Sequence, residues 1–130
     1  MTPRTHREID PRLSGRPIEL GEGRARCEMV TTREMRADEH GLVHGGFVFS
    51  LADHAAMLAV NHPNVVLGSA ETRFLKPVAV GETLVASAEL ARQEGKKQIV
   101  RVHVTRGDDV VFEGELTCFS PARHVLDGSR

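Results

Sequence analysis

Cysteine is scarce in this chain, and neither sign of charge is in surplus. Cys27 and Cys118 are its two cysteines. They lie far apart with no Cys-x-x-Cys or Cys/His cluster beside either, which excludes a disulfide framework and a cysteine-built zinc site. Two free core thiols suit a reducing compartment. With 17 Lys and Arg against 18 Asp and Glu, the formal charge is -1, so no chain-wide field favours nucleic acid or an anionic membrane. Any anionic ligand has to be met locally. Long apolar runs are missing too: nowhere do eighteen apolar residues follow one another, and the opening MTPRTHREIDPR is polar and proline-punctuated where a secretion signal needs a continuous apolar stretch. The expectation is a soluble cytoplasmic protein. Its 130 residues fit one domain, large enough for a real core and too short for two.

What is present divides into an arm, a domain and a tail. Residues 1–17 are arginine-rich, hold prolines and carry little apolar content, so they read as a loose N-terminal arm or a partner-dependent lead-in. From Ile18 the pattern turns strand-like, and in Arg24 to Met29 small or apolar residues alternate with charged ones, which points Ala25, Cys27 and Met29 inward. A polar loop and HGLVHGG then lead into FVFSLADHAAMLAVNHP. That segment has no internal Gly or Pro, is rich in Ala, Leu and Met, and ends before Pro63, so it is one helix of about four turns. Apart from Ser50, Asp53, His54 and Asn61 it is apolar all round and must be wrapped by other structure. Four strand candidates follow, Val65 to Leu75, Thr83 to Ala91, Gln98 to Thr105 and Val110 to Phe119, the last three joined by the hairpin-type turns RQEGKK and RGDD. The domain is therefore placed at 18–120 and a tail at 121–130. The class is α+β: an antiparallel sheet wrapped around one long central helix.

The segments HGLVHGGFVFSLAD, ETRFLKPVAVGETLVASAEL and VVFEGELTCF together resemble the hotdog-fold thioesterases, specifically the phenylacetate-pathway type, from about Ile18 to Phe119. An acidic residue on an apolar helix, seven residues past the last glycine of HGG, is a fairly specific signature. The resemblance implies a helix held in a five- or six-stranded sheet, dimers joining their sheets edge to edge, and hydrolysis of an acyl-CoA thioester with no metal and no bound cofactor. It also implies that the Gly45 amide holds the thioester carbonyl oxygen.

Thioester hydrolysis needs donors for an oxygen becoming negative and a group that activates water or attacks the carbonyl. His44-Gly45-Gly46 sits where loop becomes helix, so unpaired backbone N–H groups there can aim at an oxygen, aided by the helix dipole. His44 itself is read as a brace or cap of that loop. Asp53, in mid-helix, is expected to turn toward the interior, where an unpaired carboxylate costs several kcal/mol; we expect it to be the general base or nucleophile. Gly45 and Asp53 lie eight residues apart, about 12 Å along one helix. A shared site therefore joins Gly45 of one subunit to Asp53 of another in a homodimer or homotetramer.

Asp38 stands six residues before His44, where the family commonly has asparagine; a carboxylate there repels an oxyanion unless it is protonated or turned away. Leu67 matches a position that often bears a water-positioning hydroxyl, and nearby Ser69 is the substitute. Phe47, Phe49, Met57, Leu58 and Leu67 are candidates for an apolar pocket. Five aromatic residues, all phenylalanine, do not choose between aryl and short aliphatic acyl groups. Ser50 is one turn from Asp53 and reads equally as its hydrogen-bond partner or as a small residue at a close helix–sheet contact. Lys76, Arg92, Lys96 and Lys97 are candidates for the coenzyme A phosphates, while His62, His103 and His124 have no metal-ligand spacing. A non-catalytic acyl-CoA binding or sensing module is the alternative, with any DNA-binding part lying elsewhere. An enoyl-CoA hydratase ranks last for want of an Asp/His dyad.

Overall fold

The computed structural model describes residues 1–127; of the expected tail, 128–130 lie outside the described residues. Six strands form one antiparallel sheet: β1 (Arg16–Gly21), β2 (Arg24–Val30), β3 (Val66–Phe74), β4 (Thr83–Glu94), β5 (Lys97–Arg106) and β6 (Asp109–Phe119), ordered β1-β2-β4-β5-β6-β3. Alternation sets the faces. Cys27, Ala86, Val104, Phe112 and Phe74 stand opposite one another across the sheet, from β2 to β3. They share the inner face because directly paired residues point the same way. Ala25, Cys27 and Met29 are buried as the alternation requires.

Against that face lies α2 (Gly45–Val60), ended by Asn61 in the left-handed conformation with φ 51°, two residues before Pro63. Its apolar girth is used: Leu51, Ala52, Ala55, Ala56, Met57 and Leu58 have no exposure. Burying side chains the size of Leu51 or Leu58 stabilises by roughly 1.5–3 kcal/mol each. The helix packs mainly on β2, β4 and β5 and only lightly on β3 and β6, leaving one flank open. No helix among the described residues is long and apolar enough to cross a membrane.

The first fifteen residues correct the expectation of a loose arm, because they are docked on α2. Ser50, His54 and Asn61 recur at helical spacing and form a polar stripe that needs partners. The arm supplies them. The Ser14 and Ser50 hydroxyls lie 2.6 Å apart, and His54 Nδ1–H donates to the Ser14 carbonyl at 3.1 Å. Asn61 donates to the Thr2 carbonyl at 3.0 Å and accepts from the Arg4 amide at 2.7 Å. Ser14 is positioned by a short helix, α1 (Pro11–Ser14), capped by the Asp10 carboxylate on the Arg12 amide. Gly15 follows at φ 84°, where a Cβ would come within 2.4 Å of Leu51, so glycine allows both the turn and the close approach.

Candidate functional site

The entry to α2 is fixed by backbone bonds. After a 3-10 turn at Arg33–Met35, Val43 N–H donates to the Val78 carbonyl at 2.8 Å and His44 N–H to the Met35 carbonyl at 2.9 Å. Gly45 and Gly46 take the first two helical positions, whose amides have no acceptor within the helix. A Cβ on Gly45 would lie 3.2 Å from the Phe74 ring. Glycine thus leaves open a pocket of about 300 Å³, lined by Val43, Gly45, Val48, Phe74 and Lys76 among others. Lys76 Nζ donates to Asp109 at 2.9 Å.

His44 is the residue before the helix, yet its side chain makes no capping bond. Its ring lies over Gly46, where a Cβ would come within 2.8 Å of Nε2, and meets Phe47 edge-on at 6.1 Å. It braces the turn and does not cap it. Asp38 is exposed and turned into its own loop: Oδ1 accepts from the His40 amide at 2.9 Å and the Leu42 amide at 3.2 Å. The carboxylate therefore organises the loop that approaches α2.

Asp53 lies on the open flank of α2 and is partly buried. Its Oδ1 is shielded from solvent and has no hydrogen-bond partner, and burial pushes the carboxyl up to about 6. The charge is felt at Cys118 on β6, which pairs with Leu67 on β3, so Asp53 faces the β6–β3 side of the fold. Buried Cys27 and Cys118 are free thiols, pushed up to about 12 chiefly by burial.

Ser69 stands apart from Asp53. The β3–β6 register shifts between Leu67 and Ser69, and this irregularity at Gly68 turns Ser69 to the outer face beside Thr117. Ala70, Thr72 and Phe74 face inward, opposite Leu116, Gly114 and Phe112. Thr72 is the inward hydroxyl of this strand, and alternation counted without the shift misses it; the glycine within the strand was the available signal. The expected apolar pocket is also divided: Met57 and Leu58 are fully buried core, whereas Phe47, Phe49 and Leu67 are partly exposed. Phe49 packs edge-on against Phe112 at 6.4 Å. Ser50 is engaged with Ser14 and does not reach Asp53. Lys96 and Lys97 sit at the β4–β5 turn, with Arg92 3.7 Å from Glu94. No cluster of three or more metal-ligating side chains occurs among the described residues.

An apolar helix gripped by one antiparallel sheet, with an amide-bearing entry turn and an unpartnered carboxylate on its open flank, defines a hotdog protein with a candidate acyl-transfer site. The family model of the thioesterase superfamily matches residues 40–113, and the chain belongs to that superfamily. It is 53% identical over 112 residues to a methylthioribose-1-phosphate isomerase of Aquifex aeolicus, covering 86% of this chain and 25% of that protein. It is 32% identical over 107 residues to transcription factor FapR of Caldanaerobacter subterraneus, covering 82% and 50%. With acyl-coenzyme A thioesterase PaaI of Escherichia coli it shares 38% identity over 82 residues, covering 62% and 57%. The chain thus spans between a quarter and somewhat over half of these relatives. Among solved structures, uncharacterized protein PH1136 from Pyrococcus horikoshii superposes with a TM-score of 0.97 at 54% identity, covering 98% of each chain.

Proposed function

We propose that the chain hydrolyses a small-to-medium acyl-CoA to the free acid and coenzyme A, as a homodimer or homotetramer whose sites are shared between subunits. One observation carries this reading: the shielded, unpartnered carboxyl oxygen of Asp53 on the open flank of α2. Such a group opposes folding, and active sites are where that cost is tolerated. The Gly45 amide of one subunit donates to the thioester carbonyl, and Asp53 of the partner subunit supplies the base. The eight residues between them, about 12 Å along α2, keep one chain from doing both. Of the two ends of the sheet, β1 and β3, the β3 edge is favoured for the subunit contact because Asp53 faces that side.

As base, Asp53 takes a proton from water as its oxygen bonds to the carbonyl carbon. The carbon–sulfur bond then breaks and the proton passes to the departing thiolate. As nucleophile, Asp53 attacks the carbonyl carbon, the carbon–sulfur bond breaks to release the coenzyme A thiolate, and water opens the mixed anhydride, restoring the carboxylate and supplying the thiolate's proton. Gly46, His44, Phe47 and the Asp38 loop shape the oxygen end, and Thr72 replaces Ser69 as the hydroxyl on the strand facing the helix. Free-thiol release from acyl-CoAs, short aliphatic to phenylacetyl and benzoyl, tests the proposal on wild type beside Asp53→Ala and Asp53→Asn. Release that depends on Asp53 supports it, and near-normal turnover in either variant removes Asp53 from its role.

The likeness to FapR favours a second reading, an acyl-CoA binding or sensing module without turnover. Measurable acyl-CoA binding with no thiol release above background selects it.

A further inference from the structure

We propose that the cavity between the N-terminal arm and α2 is a second binding site, for a small carboxylate with an apolar body. The arm does not lie flush on the helix. It leaves a cavity of about 370 Å³, within the range that holds small ligands. Pro3, Ile9, Pro11 and Pro17 supply apolar wall. Its ionisable lining is wholly basic: His6, Arg7, Arg16 and His54, with no Asp or Glu, in a chain where acids outnumber Lys and Arg by 18 to 17. The grooves on the outer sheet face are different, because there Arg73 and Arg101 are interspersed with Glu71, Glu113 and Glu115.

The basic groups are differently engaged. Arg16 is held 2.8 Å from Glu28, whereas Arg7 has no ion-pair partner among the described residues. His54 is 4% exposed; since a carbonyl only accepts, its bond to Ser14 places a proton on Nδ1, and the Gly15 backbone is a second hydrogen-bonding neighbour of the ring. His6 keeps its own Nδ1 2.7 Å from the Thr5 hydroxyl. His6 is lowered by burial and then by His54, and His54 is lowered by burial. Burial thus favours the neutral form of both rings, and an anion placed between them favours the charged form.

A carboxylate in this cavity faces Arg7 and the imidazoles, with its apolar body on the prolines. It binds together with one proton drawn from solution onto an imidazole. The charged surroundings of those rings are few. The arm gives His6 and Arg7; β1 gives Arg16, tied to Glu28 of β2; α1 faces His54 with a carbonyl only. On α2, Asp53 is the next residue but points about 100° away around the helix.

The test is calorimetric titration of the full chain at pH 7.5 with octanoate and with phenylacetate, in two buffers of different ionisation heat. Inorganic phosphate is the control anion. Wild type is expected to bind one of the carboxylates saturably, one per chain, with uptake of a proton, and more tightly at pH 6.5 than at 8. His6→Ala and the exposed-site Arg7→Ser weaken binding about tenfold or more, and Asp53→Asn leaves it unchanged. Thermal melts of the arm variants verify that the chain remains folded. Absence of saturable binding overturns the proposal, as does equal binding of inorganic phosphate. Binding lost in Asp53→Asn but untouched in the arm variants also overturns it, by placing the ligand beside Asp53. Because free acids are titrated, the outcome stands independently of thioester hydrolysis.

Discussion

Replacing Asp53 by asparagine should make the protein more stable while abolishing turnover, and the gain should depend on pH. Burial raises this carboxyl from 3.8 to about 6, which at ~1.4 kcal/mol per pH unit corresponds to about 3 kcal/mol. Partial exposure reduces that to ~2 kcal/mol. Between pH 4 and 6 the native chain holds a proton that the unfolded chain has released, so wild-type stability falls as pH rises through that window and is level above it. Asparagine has no such proton. The two proteins should match near pH 4 and differ by ~2 kcal/mol at pH 7.5, or about 8 °C in Tm for a chain of this size. Urea melts at one fixed protein concentration, at pH 4.5 and 7.5, measure the difference directly. Equal differences at both pH values, or a less stable variant at pH 7.5, would refute the reasoning by showing that the carboxylate is partnered in the assembled protein.

The same carboxyl sets the rate profile: kcat should rise with pH about an apparent pKa near 6 and then level, and a profile flat from pH 5 to 8 would remove Asp53 as the ionised group. Gly45→Ala puts a methyl 3.2 Å from Phe74 and narrows the oxygen pocket, so kcat should drop at least tenfold while the melting midpoint moves only a few degrees. Asn61→Gly keeps the left-handed helix end at φ 51° but loses both bonds to the arm; expect ~1–2 kcal/mol of lost stability and faster tryptic cleavage after Arg4 and Arg7. Cys27 and Cys118, pushed up to about 12, should resist a disulfide-exchange reagent at pH 8 in the native protein and react fully in urea.

The sheet and helix were legible because their signals are periodic. Arg24 to Met29 and Leu84 to Leu90 alternate, and FVFSLADHAAMLAV is too apolar to lie on a surface, so a wrapping sheet followed. The arm was not legible, since what it offers to the polar stripe of α2 and its cap is the carbonyl of Ser14, the carbonyl of Thr2 and the Ser14 hydroxyl. Backbone acceptors leave no mark in composition. The face of Ser69 was not legible for another reason: the irregularity at Gly68 reverses the phase of β3, and a side-chain period of two makes one shifted residue decisive. Asp38 was read for its charge alone, although Asp-Glu-His-Gly is also a sequence in which an aspartate bonds the amides ahead of it and closes a turn.

Asp53 and His54 show how one helical step separates structure from chemistry. Neighbours on α2 point about 100° apart, so His54 falls under the arm and Asp53 on the flank that β3 and β6 barely cover. The group facing His54 is the Ser14 carbonyl, which satisfies an imidazole N–H and repels a carboxylate. Exchanging the two residues would set that carbonyl against an anion and leave an imidazole where a base of apparent pKa about 6 now stands. The arm therefore completes the structural face of the helix and leaves the flank bearing Asp53 uncovered. In the proposed function, the donor that the length of α2 denies to this chain is the Gly45 amide of a second subunit.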